Sequence, residues 1–214
     1  MAGRVRRPGR RADPTLAARR REQILDAAAA LFARHGYQDL DVQTLADRLG
    51  VAKGTLYRYF PSKERLFLAA VDRGMERMRT FVRSAYEPVA DPLDRLALAV
   101  RAYLEFYRDH PDLVELMVIE RAEFRDRKAP TYLENRQAVA AEWRAVYADL
   151  IRAGRVRPVK PDQLIDMIGD LMYGTMFTNH FAASRPPLAT QARQLTEFIF
   201  SGILTSAELA RRQS

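Results

Sequence analysis

Residues 42–60 read Val-Gln-Thr-Leu-Ala-Asp-Arg-Leu-Gly-Val-Ala-Lys-Gly-Thr-Leu-Tyr-Arg-Tyr-Phe. The stretch predicts two short helices joined by a tight turn. Ala46 stands where the two helices would cross, with no room for a larger side chain. Gly50 stands in the turn, where a positive φ costs glycine nothing. Leu45, Leu49, Val51 and Leu56 supply a small apolar seam between the helices. That seam leaves Lys53, Gly54, Thr55, Tyr57, Arg58 and Tyr59 pointing away from it. A small residue, a turn glycine and apolar positions at these spacings make a helix-turn-helix, whose second helix is free to enter a DNA groove.

The flanks extend the helical reading. Asp13-Pro14 can start a first helix, with Asp as cap and Pro at the first helical position. Ile24, Leu25, Ala28, Leu31 and Phe32 then recur at helical spacing, and Gly36 ends the run. Asp41 is a cap for the second helix, because its carboxylate can accept orphan backbone N–H groups. The third helix covers 53–59; Pro61-Ser62 breaks it and caps a fourth over about 62–86. Beyond Pro88 the apolar periods predict helices from Asp91-Pro92 to about Asp109, from Pro111-Asp112 to about Glu123, and from Thr131 to Ala153, stopped by Gly154. Two last helices are expected at about 162–182 and 188–211. No stretch shows the alternation of a strand, so the expected fold class is all-α.

Composition narrows the function. The chain has 214 residues, no cysteine and a formal charge of +8. The absence of cysteine excludes disulfides and thiolate metal sites and is consistent with the cytoplasm. No apolar run approaches the ~18 residues of a membrane span, so no membrane partner is expected. The basic N-terminus is not followed by an apolar core, which argues against a secretory signal. Residues 1–21 carry eight arginines against one acid, Asp13, so nearly all the excess charge sits there. Residues 1–14 are expected to form a disordered basic arm. Such an arm ahead of a helix-turn-helix suits a polyanion and adds attraction to phosphates regardless of sequence; a solvated tail without a role is the competing reading.

On Ile24-Leu25-Asp26-Ala27-Ala28, Leu31-Phe32, His35-Gly36-Tyr37, Leu45-Ala46 and the block Gly50 to Glu64, the chain resembles the TetR family of transcriptional regulators. The likeness is specific over residues 21–67, whereas 68–214 match only in length and helical character. It implies an N-terminal three-helix helix-turn-helix DNA-binding domain over 15–66. It further implies a helical C-terminal domain over 67–214 that binds an effector and dimerises. A homodimer would bind a palindromic double-stranded DNA operator, and a small-molecule effector would release it, usually as a repressor. Two residues depart from the commonest pattern: Asp41 for a Ser or Thr cap, and Ala52 for a frequent Ser, which removes one polar contact to DNA.

The resemblance implies that the third helix enters the major groove. Lys53 and Arg58 can then donate to guanine O6 and N7 or to phosphates, and Thr55 can meet a base edge or a thymine methyl. Gly54 permits close backbone approach, Tyr57 and Tyr59 reach phosphates through their hydroxyls, and Lys63 contacts phosphate at the start of the fourth helix. Gln43 and Thr44 reach from the second helix, and Ala52 borders the same face. Phe60 reads as core.

A single helix-turn-helix reads few base pairs, so specificity calls for two copies. Candidate dimer faces are Ile165, Ile168, Leu171, Met172 and Thr175 in one late helix, and Leu195, Phe198, Ile199, Gly202 and Ile203 in the other. Internal core would give the same periodicity. Candidate cavity residues are Tyr103, Phe106, Tyr107, Phe124, Trp143, Tyr147, Tyr173 and Phe177, with Tyr132 and Phe181 also in these helices. An aromatic stripe equally predicts packed core. Glu120, Glu123, Asn179 and His180 are possible polar anchors for an apolar or amphipathic effector.

No catalytic residue, cofactor or metal is expected. There is no phosphate-cradling glycine loop after a strand, and His35, His110 and His180 form no metal-binding spacing. Two other readings stay open: a structural protein that coats DNA without sequence preference, and a small-molecule binding protein on a degenerate regulator scaffold.

Overall fold

Helical periodicity along most of the chain produces ten α-helices among residues 14–213, the part that the computed structural model describes. The basic arm expected over residues 1–14 and its Asp13 cap lie outside the described residues, except that Pro14 opens the first helix. Spatial proximity divides the chain into two units, one reaching Ala70 and the other beginning at Val71.

The first unit contains α1 (Pro14–His35), α2 (Val42–Arg48), α3 (Lys53–Tyr59) and the first turns of α4 (Lys63–Tyr86). Ile24, Leu25, Ala28, Leu31 and Phe32 fall on one face of α1 and are all buried, joined in the core by Leu45, Ala46, Leu56, Phe60 and Phe67. The Phe32 and Phe67 rings meet edge to face at 5.0 Å, and Tyr37 meets Phe67 at 5.4 Å. Such pairs add to the area they bury.

The turn between α2 and α3 is set by Gly50, which has φ +63°. Gly50 N–H donates to Asp47 O at 3.1 Å and Val51 N–H to Ala46 O at 3.0 Å. Together these two bonds close the helix end in a Schellman arrangement, which satisfies orphan carbonyls and needs a left-handed residue. The α3 start follows two residues later, so the angle between the two helices is fixed locally.

The second unit holds the rest of α4, then α5 (Pro92–Asp109), α6 (Pro111–Glu123), α7 (Thr131–Arg152), α8 (Pro161–Phe181), α9 (Leu188–Ile203) and α10 (Ser206–Gln213). Asp91 Oδ1 accepts from Leu93 N–H at 2.8 Å and Asp94 N–H at 3.2 Å, with Pro92 at the first helical position, so α5 starts where its sequence says it should. Buried α5 residues serve two apolar clusters. Leu93, Leu96 and Val100 pack with Tyr147, Leu150, Ile168 and Ile199. Tyr103, Leu104, Phe106 and Tyr107 pack with Met75, Leu113, Val114 and Met176.

One expected element is corrected. The single last helix over 188–211 is two helices, because Leu204 turns extended with ψ 152°. The connector after α7 pulls this point out of helix: Arg157 N–H donates to Ile203 O at 2.8 Å, and Thr205 N–H to Arg155 O at 3.1 Å. Thr205 Oγ1 then accepts from Glu208 N–H at 3.3 Å and starts α10. Thr205-Ser206-Ala207-Glu208 is a capping-box sequence, so the local signal for this break is present in the chain.

α10 is held by charge. Arg155 Nη2 lies 2.8 Å from Asp91 Oδ2 and 2.8 Å from Glu208 Oε1. Glu208 is buried, and Arg211 also meets it at 2.9 Å.

Candidate nucleic-acid interface and ligand cavity

In the first unit the buried side of α3 is Leu56, continued by Phe60 just beyond the helix, and its other positions are open or half-open to solvent. Ala52, Gly54, Tyr57 and Arg58 are exposed, whereas Lys53, Thr55 and Tyr59 are half-buried. Gln43 and Thr44, in the first turn of α2, are exposed as well. The ten residues proposed for DNA contact therefore include none that the core consumes.

Several of these side chains already have partners. Lys53 Nζ donates to Asp41 Oδ1 at 3.0 Å, and the same oxygen caps α2 by accepting from Gln43 N–H at 2.8 Å. The Gln43 bond first and Lys53 second hold the Asp41 carboxyl below its ordinary range, while the bond to Asp41 raises Lys53. Gln43 Nε2 donates to Asp47 at 2.7 Å, and Arg58 Nη2 reaches Thr55 Oγ1 at 3.4 Å. Lys63 Nζ donates to Gln38 O at 3.0 Å and lies 5.0 Å from the Tyr37 ring centre. This lysine ties down the loop after α1, a role its sequence position did not disclose.

The second unit contains a cavity of about 170 Å³ between α4, α5, α7 and α8. Of the eight expected aromatic wall residues, Tyr103, Trp143 and Tyr147 line it. Three of the other five are corrected, and two line a second pocket. Phe106 and Tyr107 are packed core: Phe106 stacks on His110 at 4.1 Å, and Tyr107 donates its hydroxyl to Met75 Sδ at 3.6 Å. Tyr173 and Phe177 border a separate open groove with Met117 and Val118. Phe124 sits at the C-cap of α6 and lines neither.

The cavity wall adds residues that the sequence reading did not single out for it: Met78, Arg79, Tyr86, Asn135, Arg136 and Met172. Burial raises the Tyr103 and Tyr147 phenols, so both stay neutral. Two proposed polar anchors are committed elsewhere. The buried Glu120 Oε1 accepts from Thr131 N–H at 2.9 Å and Thr131 Oγ1 at 2.8 Å, which caps α7. His180 Nε2 lies 2.6 Å from Glu115 Oε1.

The candidate dimer faces are also redrawn. Ile168, Ile199 and Ile203 are buried in their own subunit. Phe198 is 70% exposed and Met167 62%, and Gly174 and Gly202 have open space where a Cβ would sit. Among the described residues no helix is long and apolar enough to cross a membrane, and no group of His, Asp and Glu converges as a metal site.

Sequence comparisons agree with this division. The family model "Bacterial regulatory proteins, tetR family" matches residues 24–70, and "Tetracyclin repressor-like, C-terminal domain" matches residues 89–176. The transcriptional repressor KstR of Rhodococcus jostii is 40% identical over 98 residues, 46% of this chain and 45% of that protein. The transcriptional activator FasR of Mycolicibacterium smegmatis is 39% identical over 87 residues, 41% of this chain and 40% of that one. The chain thus spans less than half the length of these curated relatives. Among solved structures, the fatty acid degradation regulator FadR from Bacillus halodurans superposes with a TM-score of 0.73 at 19% identity, covering 89% of this chain and 97% of that one. That likeness is one of fold.

Proposed function

We propose a dimeric, ligand-responsive DNA-binding regulator, because the chain belongs to the TetR family of bacterial regulatory proteins by its matches over residues 24–70 and 89–176. The observation that carries the reading is α3: a helix with Leu56 inward and Lys53, Gly54, Thr55, Tyr57, Arg58 and Tyr59 available on its remaining sides. Major-groove readout needs such a helix, with cations and hydroxyls at its start and apolar residues only underneath. Gln43, Thr44, Ala52 and Lys63 complete the contact set. The protein acts in the cytoplasm on double-stranded DNA, as a repressor, and the reading assigns catalysis to no residue.

Seven residues of helix reach too few base pairs for a unique site, so two copies must bind together. The outward stripes of α8 and α9, with Met167 and Gly174 on one and Phe198 and Gly202 on the other, are the surface for the second copy. The glycines let backbones approach, and Phe198 is the apolar anchor. The cavity in the second unit takes a small apolar or amphipathic effector, because its wall is mostly apolar with a few polar groups. Occupancy releases DNA if the bound form disfavours the spacing that fits successive grooves.

Selection of duplexes from a random library tests the whole reading. The expected outcome is enrichment of a palindrome with half-sites about one helical turn apart or a multiple of it. Equal recovery of every duplex would instead favour a protein that coats DNA without preference. Sedimentation of the free protein should give a dimer at micromolar concentration.

A further inference from the structure

The cavity wall has a one-sided charge. Arg79, Arg83 and Arg136 line it, and no aspartate or glutamate does. Two of these arginines are committed. Arg83 donates to Glu142 at 2.8 Å. Arg136 is bound to Asp170 at 2.6 Å and Asp166 Oδ1 at 3.1 Å, and it also donates to the Asp166 carbonyl at 2.7 Å. Arg79, one turn before Arg83 on α4, is half-buried and forms no ion pair or hydrogen bond among the described residues.

A half-buried arginine without an acceptor in the protein leaves its guanidinium free to pair with an incoming anion. Its planar fork matches a carboxylate at two points, and such charge-assisted pairs are among the strong hydrogen bonds. The remaining wall is mostly apolar, with Met78, Leu96, Trp143 and Ile168 to pack on the body of a ligand beside the polar atoms of Asn135 and four tyrosines. Size supplies a second constraint. An apolar cavity near 150 Å³ holds one benzene ring, so the present one accommodates roughly six to eight carbons.

Building on the ligand-responsive reading above, we propose that this cavity binds a monocarboxylic acid with a short apolar body, an alkyl chain or single ring, whose carboxylate pairs with Arg79. A neutral alcohol of the same length would lose the pair with Arg79. An amine would place a second cation beside Arg79.

Trp143 lines the cavity and is the only tryptophan in the chain, so its fluorescence reports occupancy in the intact protein. Titration with octanoate, 1-octanol and octylamine is the test. Octanoate is expected to change the emission saturably and to bind at least about tenfold more tightly than either analogue. Arg79→Met keeps the aliphatic stem and should weaken octanoate by about tenfold while leaving 1-octanol unchanged. The assignment is overturned if octanoate gives no saturable change, if 1-octanol binds as tightly, or if Arg79→Met binds octanoate like the parent. Duplex selection on the same preparation separates the two readings. Selection of a palindrome without octanoate binding removes only the carboxylate assignment. Arg79-dependent octanoate binding without duplex selection removes only the regulator.

Discussion

Lys53 Nζ and Gln43 N–H converge on one oxygen, Asp41 Oδ1, at 3.0 and 2.8 Å. The first residue of α3 is thus tied to the N-cap of α2, and the same carboxylate fixes the helix start and orients the cation. The pair is exposed, so its value to stability is small. Its value to DNA binding has the opposite sign, since a phosphate arriving at Lys53 must compete with a resident anion. Asp41→Asn keeps a capping oxygen but removes the charge. Affinity for any duplex should rise roughly threefold, more at low salt. Lys53→Ala should weaken operator binding by about tenfold, more than it weakens a scrambled duplex. Fluorescence anisotropy with both duplexes reads all four affinities, and unchanged values would remove Lys53 from the interface.

Lys63 combines a loop tie with its proposed phosphate contact. It donates to Gln38 O at 3.0 Å and sits over the Tyr37 ring at 5.0 Å. Lys63→Ala should lower affinity for specific and scrambled DNA about equally and destabilise the first unit by about 1 kcal/mol. Lys63→Arg, which keeps both charge and ring contact, should restore most of each. A thermal melt beside the anisotropy titration shows whether the two losses travel together.

These contacts also show where sequence reading reached and where it stopped. The helix-turn-helix was legible because its signals are local: Asp41 caps a helix that begins one residue later, and Gly50 closes the same helix two residues past its end. The break at Leu204 had a local signal too, in Thr205 and Glu208, but Ile199, Ile203 and Leu209 kept an apolar pattern running across it. The cavity wall was legible only in part, through Tyr103, Trp143 and Tyr147. Phe106 and Trp143 both occupy apolar helix faces, and only the neighbouring helices decide that one meets packed side chains and the other an empty volume. Likewise Arg136 finds Asp170 from 34 residues away, a pairing that no local spacing announces.

Gly50 and Gly54 offer a pair of substitutions with opposite effects. A Cβ at either would meet nothing within 4 Å, so sterics do not distinguish them. Gly50 has φ +63°, whereas Gly54 lies in α3. Gly50→Ala should cost about 1 kcal/mol through backbone strain alone. Gly54→Ala should stabilise by roughly 0.5 kcal/mol through helix propensity. If α3 enters the groove at its first turn, Gly54→Ala will nevertheless weaken operator binding, because the added methyl meets DNA. Urea denaturation and operator titration on both variants check the sign of each change.

Acid should loosen the attachment of α10 before neutral conditions do. The bond from Arg155 leads the interactions that hold the Glu208 carboxyl below its ordinary range. At Asp91, burial pushes upward, but bonds from Arg155, Leu93 N–H and Asp94 N–H carry the carboxyl below its usual value. A depressed carboxyl binds fewer protons folded than unfolded, so its contribution is complete above about pH 4.5 and is lost as pH falls through the folded value. Melting temperature should therefore drop between pH 5 and 3 by more in the parent than in Glu208→Gln. Glu208→Gln should itself be less stable at pH 7, because Arg155 and Arg211 lose a buried partner. Parallel pH profiles would sink this account of α10.

Phe198 tests the assembly with little risk to the fold. It is 70% exposed on α9, while its neighbour Ile199 is buried. Phe198→Glu therefore removes little packing within the subunit, and its melting temperature as a monomer should be near that of the parent. In a dimer built across α8 and α9 the same change would bury two carboxylates against an apolar surface, which is costly without partners. Sedimentation should then show a monomer where the parent is a dimer. Operator affinity should fall steeply while affinity for a half-site stays unchanged, because each α3 is intact and only the coupling between copies is gone. A dimeric Phe198→Glu with full operator binding would place the second copy on another face.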